Sequence, residues 1–393
     1  MNKIREKFPS LKIGEKEARV PIIQGGMGVG VSRSSLAGAV AKEGGVGIIS
    51  TAQIGYDEEG FEKDQAKANL KAIRKHIEHA KEIAKDENGE CHGLIGVNVM
   101  VALKHYQEHV KAAVEAGADV IICGAGLPLD LPELVKGSET KIAPIVSSAR
   151  ACRLIFRQWD RKYKRTADFI VVEGPAAGGH LGFHIDELEE YGYLQKKDKE
   201  SMEQANEKGQ AAMDEEIQEI IKLKKEYEEK YQCNIPVIMA GGVFEYKDVK
   251  HAFELGADGV QVASRFVATY ECDASEAYKQ AYLHAKEEDV QIIKSPVGLP
   301  GRAVRNAFVE KTEKEKCKIQ KCYQCLAKCN PAEVPYCITK ALVDAVKGDV
   351  EQGLIFCGSN VGKIQEMMHV EDVIKELTGE IERGQCMMCC VKK

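Results

Sequence analysis

Phe169-Ile-Val-Val-Glu-Gly-Pro-Ala-Ala-Gly-Gly-His-Leu-Gly182 is an apolar run that breaks into a glycine-rich turn carrying one histidine. Continuous rather than alternating hydrophobicity over Phe169–Val172 marks a strand buried on both faces, as in a parallel sheet. The glycines that follow let a flat ligand approach the backbone. His180 has the side chain whose ordinary pKa lies nearest neutrality, which suits proton transfer. Seven more runs share this grammar: Val20–Gln24, Val46–Ser50, Leu94–Val99, Val120–Cys123, Ala143–Ser147, Pro236–Ala240 and Gly259–Ala263. Amphipathic stretches lie between them, such as His105–Ala116 and Tyr246–Leu255. Both of these lead into Gly-Ala-Asp (117–119 and 256–258), a helix-ending glycine before the next strand. Eight strand–helix units predict an α/β fold of the (β/α)8 TIM-barrel type. An open doubly wound sheet uses the same local pattern, and the strand count favours the closed barrel.

Two segments interrupt the rhythm. Residues 184–233 read as a helical insertion after strand six, strongly helical over Asp214–Tyr231, and serve either as a solvated surface helix or as a lid. The tail from Cys317 leaves the βα pattern and carries nine of the fourteen cysteines. The expected organisation is a barrel over 1–310 and a Cys-rich helical extension over 311–393.

The 393-residue chain is 44% hydrophobic, enough for a large core. Its net charge of −6 comes from interspersed charges with no basic stripe, which argues against nucleic acid or an anionic membrane as partner. Met1–Gly14 has no apolar signal core, and no apolar run reaches membrane-spanning length, so a cytoplasmic location is expected. Cysteines in that setting favour free thiols, redox chemistry or metal ligation over structural disulfides.

Barrel enzymes work at the C-terminal ends of their strands. Those ends carry Gln24-Gly-Gly-Met-Gly28, Asn98, Ser147-Ser148, the Glu173–Gly182 turn, Ala240-Gly-Gly-Val243 and Ala263-Ser-Arg-Phe266. A phosphate after strands seven and eight would meet backbone N–H groups of Gly241, Gly242, Ala263 and Ser264. One Gly-Gly pair is an ordinary turn; glycines at the ends of strands one, six, seven and eight together point to a ligand.

Gln24-Gly-Gly-Met27, Gly96-Val-Asn-Val-Met100, Glu173-Gly with Gly178-Gly-His-Leu-Gly182, Ala240-Gly-Gly-Val243 and Gly259-Val-Gln-Val-Ala-Ser-Arg-Phe266 together resemble the nitronate monooxygenase (2-nitropropane dioxygenase) family, which includes FMN-dependent enoyl-ACP reductase II enzymes. The resemblance spans roughly residues 15–310 and implies a barrel that binds FMN. By motif it puts Gly25, Gly26 and Met27 against the isoalloxazine, and Asn98 and Glu173 on the flavin or ribityl chain. It puts Gly179, Gly241, Gly242, Ala263 and Ser264 around the phosphate end, with Gly178 also a cofactor contact. Gln261, on strand eight, faces either the barrel or the helices. His180 is the implied catalytic residue, with His184 a lid-base or supporting group.

The implied activity is O2-dependent oxidation of alkyl nitronates to a carbonyl compound and nitrite. The alternative is NAD(P)H-dependent reduction of an enoyl-ACP or enoyl-CoA with FMN as hydride relay. A flavin-binding protein without turnover is a third reading, which the intact His180 disfavours. Expected partners are a small-molecule substrate, an acyl thioester under the alternative, and a second copy of the chain, with no nucleic acid and no membrane. Lys294-Ser-Pro-Val-Gly-Leu-Pro-Gly-Arg-Ala-Val-Arg305 reads as a stiff loop whose Lys294, Arg302 and Arg305 either greet an anionic substrate or only solvate the loop.

In the tail, Cys322-x2-Cys325-x3-Cys329-x7-Cys337 offers four thiolates for zinc or an iron–sulfur cluster, and reduced thiols are the simpler reading. Cys386-x2-Cys389-Cys390 forms a second group.

Overall fold

The computed structural model describes residues 8–194 and 199–383, so Cys386, Cys389 and Cys390 lie outside the described residues. Eight parallel strands close into a barrel: β1 (Ile22–Gln24), β2 (Val46–Ser50), β3 (Leu94–Met100), β4 (Val120–Gly124), β5 (Lys141–Val146), β6 (Ile170–Glu173), β7 (Val237–Ala240) and β8 (Gly259–Val262). Each coincides with one of the apolar runs, and β8 pairs back onto β1 to complete the ring. The TIM barrel is therefore the fold, and the open sheet is excluded.

The strands lack polar alternation because both faces are covered. Ile23, Val46, Ile48, Val120, Ile122, Ala143, Val171 and Ile238 fill the barrel, while Ile22, Ile49, Val97, Ile121 and Val172 face the helices. An N-terminal hairpin, Leu11–Ile13 with Lys16–Ala18, plugs the end where the strands start, adding Leu11, Ile13 and Ala18 to the interior. The Gly-Ala-Asp phrase has a physical reason. Gly117 and Gly256 take the left-handed conformation that ends a helix. The aspartate after each then accepts an N–H from the preceding strand: Asp119 from Ile95 and Asp258 from Val237.

The segment at 184–233 divides in two. Helix Lys199–Tyr231 is 33 residues long, and its second half turns Met213, Ile217, Ile220, Leu223 and Tyr227 into the main core as the barrel helix following β6. Tyr227 meets Phe156 of helix Ala149–Tyr163 edge-on at 4.7 Å. Its first half, the short helix Ile185–Glu190 and the turn after that helix place Met202 and Ala205, Leu188, and Tyr193 in a separate cluster with Leu181, Tyr282 and Cys357, beside the strand ends.

The tail packs on the barrel. Helix Ile338–Lys347 and helix Val370–Thr378 contribute Ile338, Leu342, Val370, Val373, Ile374 and Leu377 to the main core. A buried ion pair of 2.5 Å joins Arg265, just past β8, to Glu376. Among the described residues, no helix is long and apolar enough to cross a membrane.

Candidate functional site

One cavity of about 380 Å³ opens at the C-terminal ends of the strands. Gly25, Gly26, Met27, Asn98, Glu173, Gly178, Gly179, His180, Gly241, Gly242, Gln261, Ala263 and Ser264 all line it. The barrel thus brings together every residue of the flavin-site reading. Gln261 faces the cavity rather than the helices, close behind Gly25.

Gly26, two residues past β1, lies so near β3 that a Cβ there would be 2.4 Å from the Asn98 Cβ. Gly241 and Gly242 both have positive φ, +88° and +86°, which turns the chain out of β7 without a side chain at the rim. Ala263 precedes the short helix Ser264–Val267, so β8 passes directly into a helix start.

His180 sits in a two-residue strand, Gly179–His180, added to the hairpin Val290–Lys294/Pro300–Val304. The stretch expected to be a loop is therefore a β-hairpin that carries the histidine. His180 Nε2 lies 2.6 Å from Ser295 Oγ, and its ring meets Phe356 edge-on at 4.9 Å. Burial disfavours the charged ring and holds its pKa down to about 4. Glu173 ends β6 with a carboxylate oxygen accepting from the Gly182 N–H at 3.3 Å. Burial outweighs that bond and the nearby Arg302, and raises its pKa to about 7.

The expected basic loop does not form as a cationic patch. Arg302 is wholly buried, donates to the Ala177 carbonyl and lies 4.4 Å over the Tyr193 ring. Lys294 is exposed, and Arg305 pairs with Glu310 at the surface. Ser147 lines the cavity, whereas the Ser148 side chain caps helix Ala149–Tyr163 by accepting from the Ala151 N–H. His184 is exposed at the start of helix Ile185–Glu190, outside the cavity.

Sequence reasoning missed a strap from the tail. Phe356, Cys357, Gly358, Ser359 and Asn360 line the cavity beside the ends of β7 and β8. Asn360 Nδ2 donates to the Gly242 carbonyl at 2.8 Å, the Ser359 N–H to the Ala176 carbonyl at 3.1 Å, and the Gly358 N–H to Ser264 Oγ at 3.0 Å. The available signal was Cys357-Gly-Ser-Asn-Val-Gly362, a second glycine-rich turn.

With this geometry established, the chain matches the family model described as nitronate monooxygenase over residues 10–380. The chain belongs to the nitronate monooxygenase family. The protein named probable nitronate monooxygenase of Bacillus subtilis (strain 168) is 22% identical, covering 97% of this chain and 99% of its own. A protein with the same name from Staphylococcus aureus (strain JH9) is 24% identical, covering 74% and 76%. FabK from Thermotoga maritima superposes with a TM-score of 0.64 at 25% identity, covering 92% of this chain and 93% of its own. A nitroalkane oxidase from Streptomyces ansochromogenes shares the fold, with a TM-score of 0.63 at 17% identity over 92% and 96% of the two chains. As a nitronate monooxygenase family member, this protein is an oxidoreductase.

Proposed function

We propose that the cavity binds FMN and that His180 serves the oxidation of alkyl nitronates beside it. The cavity fits the cofactor in two ways. The Gly25–Gly26 turn and the Gly241–Gly242 turn leave side-chain-free walls where a flat ring and a phosphate need close backbone approach. At the strap, Ser359 Oγ is buried in the cavity wall and has no hydrogen-bond partner among the described residues, a donor suited to a phosphate oxygen. Gly25, Gly26 and Met27 would lie along the ring system, with Asn98, Gln261 and Glu173 at its polar edge or ribityl chain. Gly178, Gly179, Gly241, Gly242, Ala263 and Ser264 would surround the phosphate. When bound, FMN supplies the electron-accepting chemistry of nitronate oxidation, which O2 completes to a carbonyl compound and nitrite.

The observation that carries the reading is His180, held against Ser295 at the mouth of the same cavity as the Gly25–Met27 turn. Burial keeps the imidazole neutral at neutral pH, so it accepts hydrogen bonds and protons. It removes the α-proton where a neutral nitroalkane enters, and otherwise orients the nitronate. Glu173, with its pKa near 7, is divided between acid and carboxylate and both donates and accepts.

A second reading is reduction of an enoyl thioester by NAD(P)H. The similarity to FabK, the enoyl-ACP reductase II, over nine-tenths of both chains favours it. Anaerobic mixing of the flavin-loaded protein with propyl nitronate, and separately with NADH and NADPH, distinguishes the two. Rapid flavin bleaching by the nitronate alone supports the monooxygenase; rapid bleaching by a nicotinamide, with none by the nitronate, replaces it with the reductase.

A further inference from the structure

Between Glu315 and Cys337 the chain forms no helix and no strand beyond an isolated bridge, Leu326 to Leu103. Within these residues only Leu326 and Tyr336 are buried. A loop of this length with so little apolar burial needs another organiser, and a metal centre supplies one. Two backbone bonds fix it to the barrel: the Lys104 N–H donates to the Cys325 carbonyl at 3.0 Å, and the Ala327 N–H to the Ala102 carbonyl at 3.0 Å.

The loop gathers sulfur atoms inside a shell of donors. Cys322 Sγ accepts from the Gln324 N–H at 3.4 Å. The Thr339 side chain opposes the rise that burial gives the Cys325 thiol. Cys337 is the N-cap residue of helix Ile338–Lys347, at the helix end whose first N–H groups have no partner within the helix. Electrostatic interaction links Cys329 with Cys322 and Cys337, Cys325 with Cys329 and Cys337, and Cys337 with Cys322. N–H and O–H donors converging on sulfur are the surroundings that a thiolate-ligated centre requires. The loop also carries exposed Lys316, Lys318 and Lys328, whereas Lys321 and Lys340 are paired with Glu62 and Asp344.

We propose that Cys322, Cys325, Cys329 and Cys337 hold a [4Fe–4S] cluster. The sulfurs are not gathered as a closed zinc site requires, and an all-sulfur donor set also suits iron. Tetrahedral zinc with bonds of about 2.3 Å draws its four sulfurs to roughly 3.8 Å from one another. Among the described residues, no three of these sulfurs fall within 4.8 Å of one another, so they are not drawn together as a tetrahedral zinc site draws its ligands. The centre stands beside the cavity. Thr339 accepts from Gln53 Nε2 at 3.2 Å, Gln53 follows cavity-lining Ala52, and Leu342 on the helix that Cys337 begins also lines the cavity. Cys317 lies outside the set, its N–H held by the Pro335 carbonyl.

The test uses the full chain, purified without oxygen and reconstituted with ferrous iron and sulfide. Expected are about four iron and about four acid-labile sulfide per chain, and a low-temperature EPR signal after dithionite reduction that is distinct from a flavin radical. Cys329→Ser and Cys337→Ser lose most of the iron, while Cys317→Ser keeps it. Stoichiometric zinc in place of iron, a wild-type chain that retains no metal, or full iron in both ligand variants overturns the proposal. Should the ligand variants fail to fold, the wild-type iron, sulfide and EPR measurements decide alone.

Discussion

Gly26→Ala tests how tightly the proposed flavin face is built. The added Cβ would lie 2.4 Å from Asn98 Cβ and 3.1 Å from Ile48 Cγ2. Neither partner can rotate clear of the closer clash, because the Asn98 Cβ is fixed to the backbone of β3. Contacts between real Cβ atoms essentially never fall under 3.0 Å, so the ends of β1 and β3 must part by about 0.6 to 1 Å. Overpacking of this kind costs about 1–3 kcal/mol. The same shift displaces Asn98 from the polar edge of the cofactor, and a comparable loss there weakens FMN binding about 10- to 100-fold. Urea denaturation of the apoprotein and fluorescence titration with FMN measure the two effects. Gly60→Ala is the control: it lies outside the cavity and nothing among the described residues lies within 4 Å of its Cβ position, so its cost is the left-handed backbone alone, about 1–2 kcal/mol. A Gly26→Ala protein with wild-type stability and wild-type FMN affinity refutes the reasoning.

The remaining predictions concern acid–base groups and the tail. His180→Ala lowers kcat/KM on nitronate about 10²- to 10⁴-fold while FMN is retained, and an unchanged rate reassigns His180 to scaffolding. The Glu173 titration near pH 7 appears as a step in the wild-type pH–rate profile and is absent in Glu173→Gln; persistence of the step assigns it elsewhere. His76, His109 and His180 are each held by burial at about 4, so the unfolded chain binds their protons first as pH falls below about 6.5. Apoprotein stability therefore drops between about pH 6.5 and 4, by up to about 3 kcal/mol per histidine, and a flat profile in denaturant melts contradicts this. The raised Glu173 acts in the opposite sense: its share of stability is full below about pH 4.5 and lost as pH rises through 7. Glu376→Ala strands the buried Arg265 guanidinium, costs about 3–5 kcal/mol and loosens the tail helix, readable as a lower thermal midpoint.

The barrel was legible because a strand covered on both faces must be apolar at every position, as Phe169–Val172 and Val120–Cys123 are. The cavity residues followed from strand ends, a property of the fold rather than of distant contacts. What sequence could not show are the pairings that cross the chain. Ser295 reaches His180 across 115 positions and Asn360 reaches Gly242 across 118, and neither side chain carries a local pattern naming its partner. Arg302 misleads for a related reason. An arginine in a Gly- and Pro-rich stretch suggests solvent, but strand pairing with Gly179 turns it inward to the Ala177 carbonyl and the Tyr193 ring. Helical periodicity continues through residues 199–231, so no local signal marks where the half beside the cavity becomes the barrel's own helix.

The most direct measurement is the flavin content of the pure chain, by release and chromatography after reconstitution with FMN. The account predicts about one tightly held FMN per chain, lost when the Ser359–Asn360 strap is replaced by alanines. A folded protein that stays colourless and shows no saturable FMN binding contradicts it.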